Sequence, residues 1–311
     1  MKAKRLVAVL TAVSLMAGLC GMAEPNADQK IKLEQNSTST PALGGKLLYD
    51  GYTLQWADDF NGSELNRGDW NIELHAPGWV NNELQAYVDS PENIYLENGS
   101  LVIKPIEQKN PDGTVSYTSG RVNTQNKHDF KYGIFEARIK VPEGQGFLPA
   151  FWMMPTNENL YGQWPRCGEI DIMEVLGNDT DKSYGTIHYG NPHSESQGSY
   201  QLTAGSFSEE YHNFAVEWEP GRISWYVDGC LIHTENDWYS ATEGQGEITY
   251  PAPFDQHFYL ILNLACGRKL AGNPDETTDI ASAALYVDYV KSIRRTATAR
   301  MWLNLKNGGS A

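Results

Sequence analysis

The chain has 311 residues, with 24 Lys and Arg against 39 Asp and Glu, a formal net charge of −15. So large an acidic surplus excludes nucleic acid and anionic membrane surfaces as partners, because both would be repelled. A neutral polysaccharide is compatible, and an aromatic content of 11% suits it, since aromatic faces pack against the C–H faces of pyranose rings.

Lys2, Lys4 and Arg5 lead into the apolar run Leu6 to Leu19, followed by small residues around Ala23, so residues 1–23 read as a secretory signal peptide. The run is too short and wrongly flanked to span a bilayer well. Cys20 offers a second reading, a lipid-anchored N-terminus, against which stands the bulky Leu19 just before it. Residues 24–45, rich in Ser, Thr, Asn and Pro, cannot bury enough apolar surface to fold alone and form a polar linker. Removal of the signal leaves Cys167, Cys230 and Cys266, too few for a complete disulfide framework and without metal-site spacing; one bridge is possible, though no spacing argues for it, and they read as small buried hydrophobes.

Residues 46–295 read as one all-β domain, which at about 250 residues can bury a sizeable core. Short β-type runs alternate with Gly, Pro, Asn and Asp, and neither helical periodicity nor an internal repeat appears. The clearest strands are Leu101–Lys104, Tyr132–Val141, Phe214–Trp218, Ile223–Val227 and Phe258–Leu264. Such a series predicts a sandwich or barrel. Residues 296–311 form a short tail with no legible chemistry.

Along this domain Trp56 and Phe60 read as core. In Gly78–Tyr87, strand alternation would put Asn81, Glu83 and Gln85 on one face, where amides and a carboxylate could meet sugar hydroxyls; the rival reading is a polar loop satisfying its own turns. Arg121 carries a rigid fork of donors that suits vicinal hydroxyls, or equally a structural ion pair. Trp164, ahead of Trp79 and Trp152, is the first choice for a stacking platform.

The stretch Gly168-Glu-Ile-Asp-Ile-Met-Glu-Val-Leu-Gly177 interleaves three carboxylates with β-branched residues, which predicts a half-buried strand. Alternation places Glu169 and Asp171 on one face and Glu174 on the other. A β-bulge with Met173 as the extra residue would return Glu174 to the face of its partners. The glutamates would then lie roughly 13 Å apart at Cα, at ~3.3 Å per strand step. Leaning side chains bring their carboxyls near the ~5–5.5 Å of a retaining glycosidase. Asp171 between them would hydrogen-bond one glutamate and hold up the pKa of an acid that must stay protonated.

Glu169-Ile-Asp-Ile-Met-Glu174 resembles the active-site strand of glycoside hydrolase family 16, in the form with the extra methionine found in laminarinase-like endo-β-1,3-glucanases. The resemblance covers roughly residues 49–294. It implies a β-jelly-roll sandwich of two antiparallel curved sheets with a concave substrate cleft. Glu169 is then the nucleophile, Asp171 the assisting acid and Glu174 the acid/base, with no cofactor for catalysis. Implied substrate contacts are Asn81, Glu83, Arg121, Trp152, Trp164, His188 and Asn263. Family tryptophans are replaced by Leu148 and Leu270, and a family glycine by Arg268. Asp288 resembles a residue that binds structural calcium with main-chain oxygens near Asp59 and Gly99. The expected protein is a secreted, monomeric hydrolase of β-glucan, with no protein partner implied. Its rivals are cleavage of mixed-linkage glucan or of a galactan, and a non-catalytic glucan-binding module.

Overall fold

The alternating apolar residues of these runs need a second layer to bury them, and the computed structural model supplies one. It describes residue 47 and residues 49–242, 246–267 and 270–296. The signal peptide, the linker, Cys20, Arg268 and the tail beyond Thr296 lie outside these residues. Among the described residues there is no helix, and two eight-stranded sheets face each other.

The front sheet runs, neighbour to neighbour, Ser194–Gln201, Lys182–Tyr189, Glu169–Val175, Phe147–Pro155, Phe258–Cys266, Arg121–Asn123 and Asn71–Ile72, with Asp129–Phe130 also on Phe258–Cys266. The back sheet runs Cys230–Glu235, Arg222–Val227, His212–Glu219, Gly133–Lys140, Leu285–Arg295, Ser100–Ile103 and Ile94–Glu97, with Tyr52–Asp58 on Leu285–Arg295. All pairs in both sheets are antiparallel. A small side sheet adds one parallel pair, Gln85–Tyr87 with Val115–Ser119. The strands expected from the sequence are all present, and the fold is the expected jelly-roll sandwich.

Inward-facing Ile170, Phe151, Leu262 and Ile187 of the front sheet meet Phe135, Trp218, Trp225 and Val290 of the back sheet in one continuous core. Phe60 is buried and Trp56 packs against this core, as read from the sequence. The outward face of the back sheet is closed by a smaller cluster around Tyr52, Ile134 and Tyr226. Its buried Glu136 is paired with Lys291 at 2.6 Å and takes a hydrogen bond from Tyr289 at 2.7 Å. With that face covered, the outward face of the front sheet is the one left for chemistry.

Candidate active site

The acidic strand Glu169–Val175 sits in the front sheet between Phe147–Pro155 and Lys182–Tyr189. Its register breaks where the sequence needs it to. Asp171 pairs with Thr186 and Glu174 with Tyr184, so Ile172 and Met173 together stand opposite the single residue Gly185. On the other side Trp152 pairs with Asp171 and Phe151 with Met173, which leaves Ile172 unmatched. The irregularity is therefore the expected bulge of one extra residue, with Ile172 rather than Met173 unmatched on this side, and both residues turn inward and are buried in the core. Hydrophobicity decides this, because either side chain placed outward would stand among the carboxylates. The result is that Glu169, Asp171 and Glu174 share the outward face.

A bulge leaves backbone groups without a ladder partner. The Asp171 carbonyl is satisfied from the opposite sheet, where Trp225 Nε1 donates to it at 2.7 Å. Trp225 can lie that close only because Gly185 has no side chain: a Cβ there would fall 2.3 Å from Trp225 Cδ1.

Asp171 is buried and its carboxyl is hydrogen-bonded to that of Glu169. Ligand atoms of Glu169, Asp171 and His188 lie within 4.8 Å of one another. Burial, then the nearby charge of Asp171, holds the Glu169 carboxyl well above the usual range, opposed by His188 and by Trp164. Trp164 Nε1 donates to Glu169 Oε2 at 2.7 Å, a bond that favours the anion a nucleophile must be. Burial and then Glu174 raise Asp171 well above a free aspartate, opposed by its hydrogen bond with Glu169. Burial and then Glu169 push Glu174 up to about 7, where it can donate a proton near neutrality. The three carboxyls titrate as a set.

His188 is the cross-strand partner of Glu169, and its Nε2 lies 3.3 Å from Asp171 Oδ2. Trp164 is 48% exposed beside it, and Trp79 is 51% exposed on another stretch of the rim. Arg121 is buried and ion-paired with Glu73 at 2.9 Å, while its guanidinium lies 4.6 Å from the Trp152 ring centroid and 5.2 Å from that of Trp79. Of its two sequence readings the structural ion pair is the one seen, and the guanidinium also braces two aromatic platforms. Trp79 is backed by His75, ring on ring at 3.4 Å, and His75 Nε2 lies 2.7 Å from Glu73 Oε2. Trp152 Nε1 donates to Asn263 Oδ1 at 2.7 Å, and the buried Asn263 amide donates to Tyr87 at 3.1 Å, so Asn263 orients Trp152 from behind.

Asn81 and Glu83 do come together, by a different route from strand alternation. Asn81 and Asn82 have positive φ and form a turn, and Glu83 is held between Asn81 Nδ2 at 3.3 Å and Gln85 Nε2 at 2.8 Å. Leu148 is half-buried and Leu270 is 60% exposed. Sequence reasoning missed Glu73, His75 and Trp225. Nothing in the local sequence marks them, because each acts through a partner far along the chain.

On the far side of the molecule Asp288 Oδ2 lies 2.9 Å from Arg138 Nη1. Its neighbour Asp58 accepts from the Phe60 backbone at 2.9 Å and from Trp70 Nε1 at 2.8 Å. Gly99 sits in a tight turn with positive φ, and Asp59 is exposed. A calcium ion at Asp288 would meet a fixed guanidinium, so these residues fit an ion poorly.

Two glutamates on one face of a sandwich sheet, one taking a hydrogen bond that favours its anion and one tuned to carry a proton, define a glycoside hydrolase. The family description "Glycosyl hydrolases family 16" matches residues 79–281, and the chain belongs to that family. It is 36% identical over 286 residues to "Glucan endo-1,3-beta-glucosidase A1" of Niallia circulans, covering 86% of this chain and 40% of that protein. It is 38% identical over 259 residues to "Glucan endo-1,3-beta-glucosidase" of Cryptopygus antarcticus, covering 78% and 92%. Among solved structures, the endo-β-1,3-glucanase of Pyrococcus furiosus superposes with a TM-score of 0.66 at 37% identity, covering 78% of this chain and 94% of that one.

Proposed function

We propose that the protein is a retaining endo-β-1,3-glucanase acting on laminarin-like glucans. The observation that carries this reading is the bulge at Ile172 and Met173, which sets Glu169 and Glu174 on one face between aromatic platforms. Glu169 attacks the anomeric carbon while Glu174 protonates the leaving glycosidic oxygen, giving a glycosyl ester on Glu169. Glu174, now the base, deprotonates the water that attacks the same carbon and frees Glu169. Trp164, Trp79 and Trp152 support the sugars on either side, so that binding of distant rings lowers the chemical barrier. The substrate class is supported by the glucanase relatives named above. Export as a monomer is part of the same proposal and rests on the reading of residues 1–23.

A reducing-end assay on pure polysaccharides tests it. Release of oligosaccharides from laminarin, faster than from mixed-linkage glucan or galactan, is the expected result. Cleavage of a galactan alone would overturn the linkage assignment, and binding without product would overturn catalysis. For the convex side we infer that Arg138, rather than calcium, neutralises Asp288. Chelation with EGTA is therefore expected to leave the melting temperature unchanged, whereas a drop of several degrees restored by calcium would return the ion to that place.

A further inference from the structure

One cluster at the edge of the site shares His188 with it and adds two residues, His193 and Glu195, that the glycosidase chemistry does not use. His188 and Glu195 are cross-strand partners in Lys182–Tyr189 and Ser194–Gln201, so their side chains share the outward face. The turn joining those strands, residues 190–193, brings His193 beside them. His188 Nδ1 lies 3.0 Å from His193 Nε2 and 3.4 Å from Glu195 Oε2, and ligand atoms of all three lie within 4.8 Å of one another.

The two distances from His188 Nδ1 are compatible with ligands on one metal ion. With metal–nitrogen bonds of ~2.0–2.1 Å, two ligands lie about 2.9 Å apart at a right angle and about 3.3 Å apart at the tetrahedral angle. A second observation points the same way. Asp171 is 4% exposed, and its Oδ2 accepts no hydrogen bond although His188 Nε2 is 3.3 Å away. An imidazole bound to metal through one nitrogen carries its proton on the other and gives it to a carboxylate, which fixes the ring and its tautomer. Metal on Nδ1 of His188 would fix the ring proton on Nε2, the nitrogen that faces Asp171 Oδ2.

We propose that His188, His193 and Glu195 form a binding site for a divalent transition-metal ion. Two imidazoles and one carboxylate suit zinc, nickel or copper, whereas calcium and magnesium take oxygen ligands. His193 and Glu195 are exposed, which leaves the ion an entry path and open coordination positions for water. The carboxylates of Glu169, Asp171 and Glu174 on the same face add an attractive field for a cation. The site shares His188 with the proposed hydrolytic centre, and its test does not depend on turnover.

Calorimetric titration with Zn²⁺, on protein freed of any polyhistidine tag, should show one ion per chain. His193→Ala and Glu195→Gln should each weaken binding at least about tenfold, since even outer-shell partners of a ligand are worth that much. Glu195 is exposed, so its substitution tests the site without a folding penalty. Cu²⁺ gives a second readout: the Trp164 ring is centred 5.0 Å from that of His193, so Cu²⁺ should quench a component of fluorescence that is missing in Trp164→Phe. No heat of binding would overturn the proposal. So would equal affinity in both variants, which would put the ion on Glu169, Asp171 and His188 instead.

Discussion

Replacing Glu174 by Gln is expected to lower kcat on laminarin by about 10²–10⁴-fold, the usual worth of a positioned general acid. Replacing Glu169 should be at least as damaging, and the two losses can be told apart. A leaving group that needs no proton, such as an activated phenol, should let Glu174→Ala form its glycosyl ester, while Glu169→Ala has no nucleophile for either substrate. Azide added to Glu174→Ala would attack that ester and give a β-glycosyl azide. Added to Glu169→Ala it would take the place of the carboxylate and give the α-product. If the anomers came out reversed, the roles assigned here would be exchanged.

The pH dependence follows from the same two groups. Activity needs Glu174 protonated, and its pKa is pushed up to about 7, so the alkaline limb should fall near neutrality. It also needs Glu169 ionised; burial and Asp171 raise its pKa, so the acidic limb should lie above that of a free glutamate. For stability the sign is the reverse of the usual carboxylate case. A folded-state pKa raised from 4.5 to about 7 means the folded protein disfavours the anion. Stability from this group is therefore highest below the unfolded value and declines as pH rises through the window, by on the order of 3 kcal/mol. Glu174→Gln, inactive at pH 8, should melt several degrees higher there than the unmutated protein. A lower melting temperature would show that the carboxyl is held by favourable contacts rather than tolerated for chemistry.

How much of this was legible in the sequence depended on how far each interaction reaches along the chain. The strand, the need for a bulge and the three carboxylates could be read from ten consecutive residues, because alternation and hydrophobicity act locally. The bulge was nevertheless assigned to Met173 alone, since the sequence does not show that Gly185 is the one residue facing both Ile172 and Met173. Asn81 and Glu83 were grouped correctly for a wrong reason: a left-handed turn, rather than a strand, brings them together. The brace behind the aromatic platforms could not be read at all. Glu73 reaches Arg121 because Asn71–Ile72 happens to border Arg121–Asn123, and Arg121 separates Trp79 from Trp152, which are 73 positions apart in sequence. Such a stack has no periodicity to betray it.

The longest-range dependence is that of the bulge on the opposite sheet, and it carries the second large effect. Gly185→Ala would drive a methyl carbon to 2.3 Å from Trp225 Cδ1, and Trp225 is wholly buried with no room to yield. Overpacking of this kind costs ~1–3 kcal/mol. The damage to catalysis should be greater than that to stability. Displacing the indole withdraws the Nε1–H donor from the Asp171 carbonyl, and the backbone between Asp171 and Glu174 loses the contact that fixes its kink. A shift of ~1 Å in a catalytic group can cost 10²-fold in rate. We therefore expect kcat to drop by about 10²-fold in Gly185→Ala at a temperature where the protein is still folded. Trp225→Phe separates the two causes. It adds no bulk, leaves a small cavity and removes the donor, so that a buried carbonyl is unsatisfied at ~1–3 kcal/mol; it should lose kcat in the same direction without the steric clash. Were Trp225→Phe to turn over laminarin at the unmutated rate while melting lower, the indole would be a core residue only. The placement of Glu174 would then be secured by the front sheet alone.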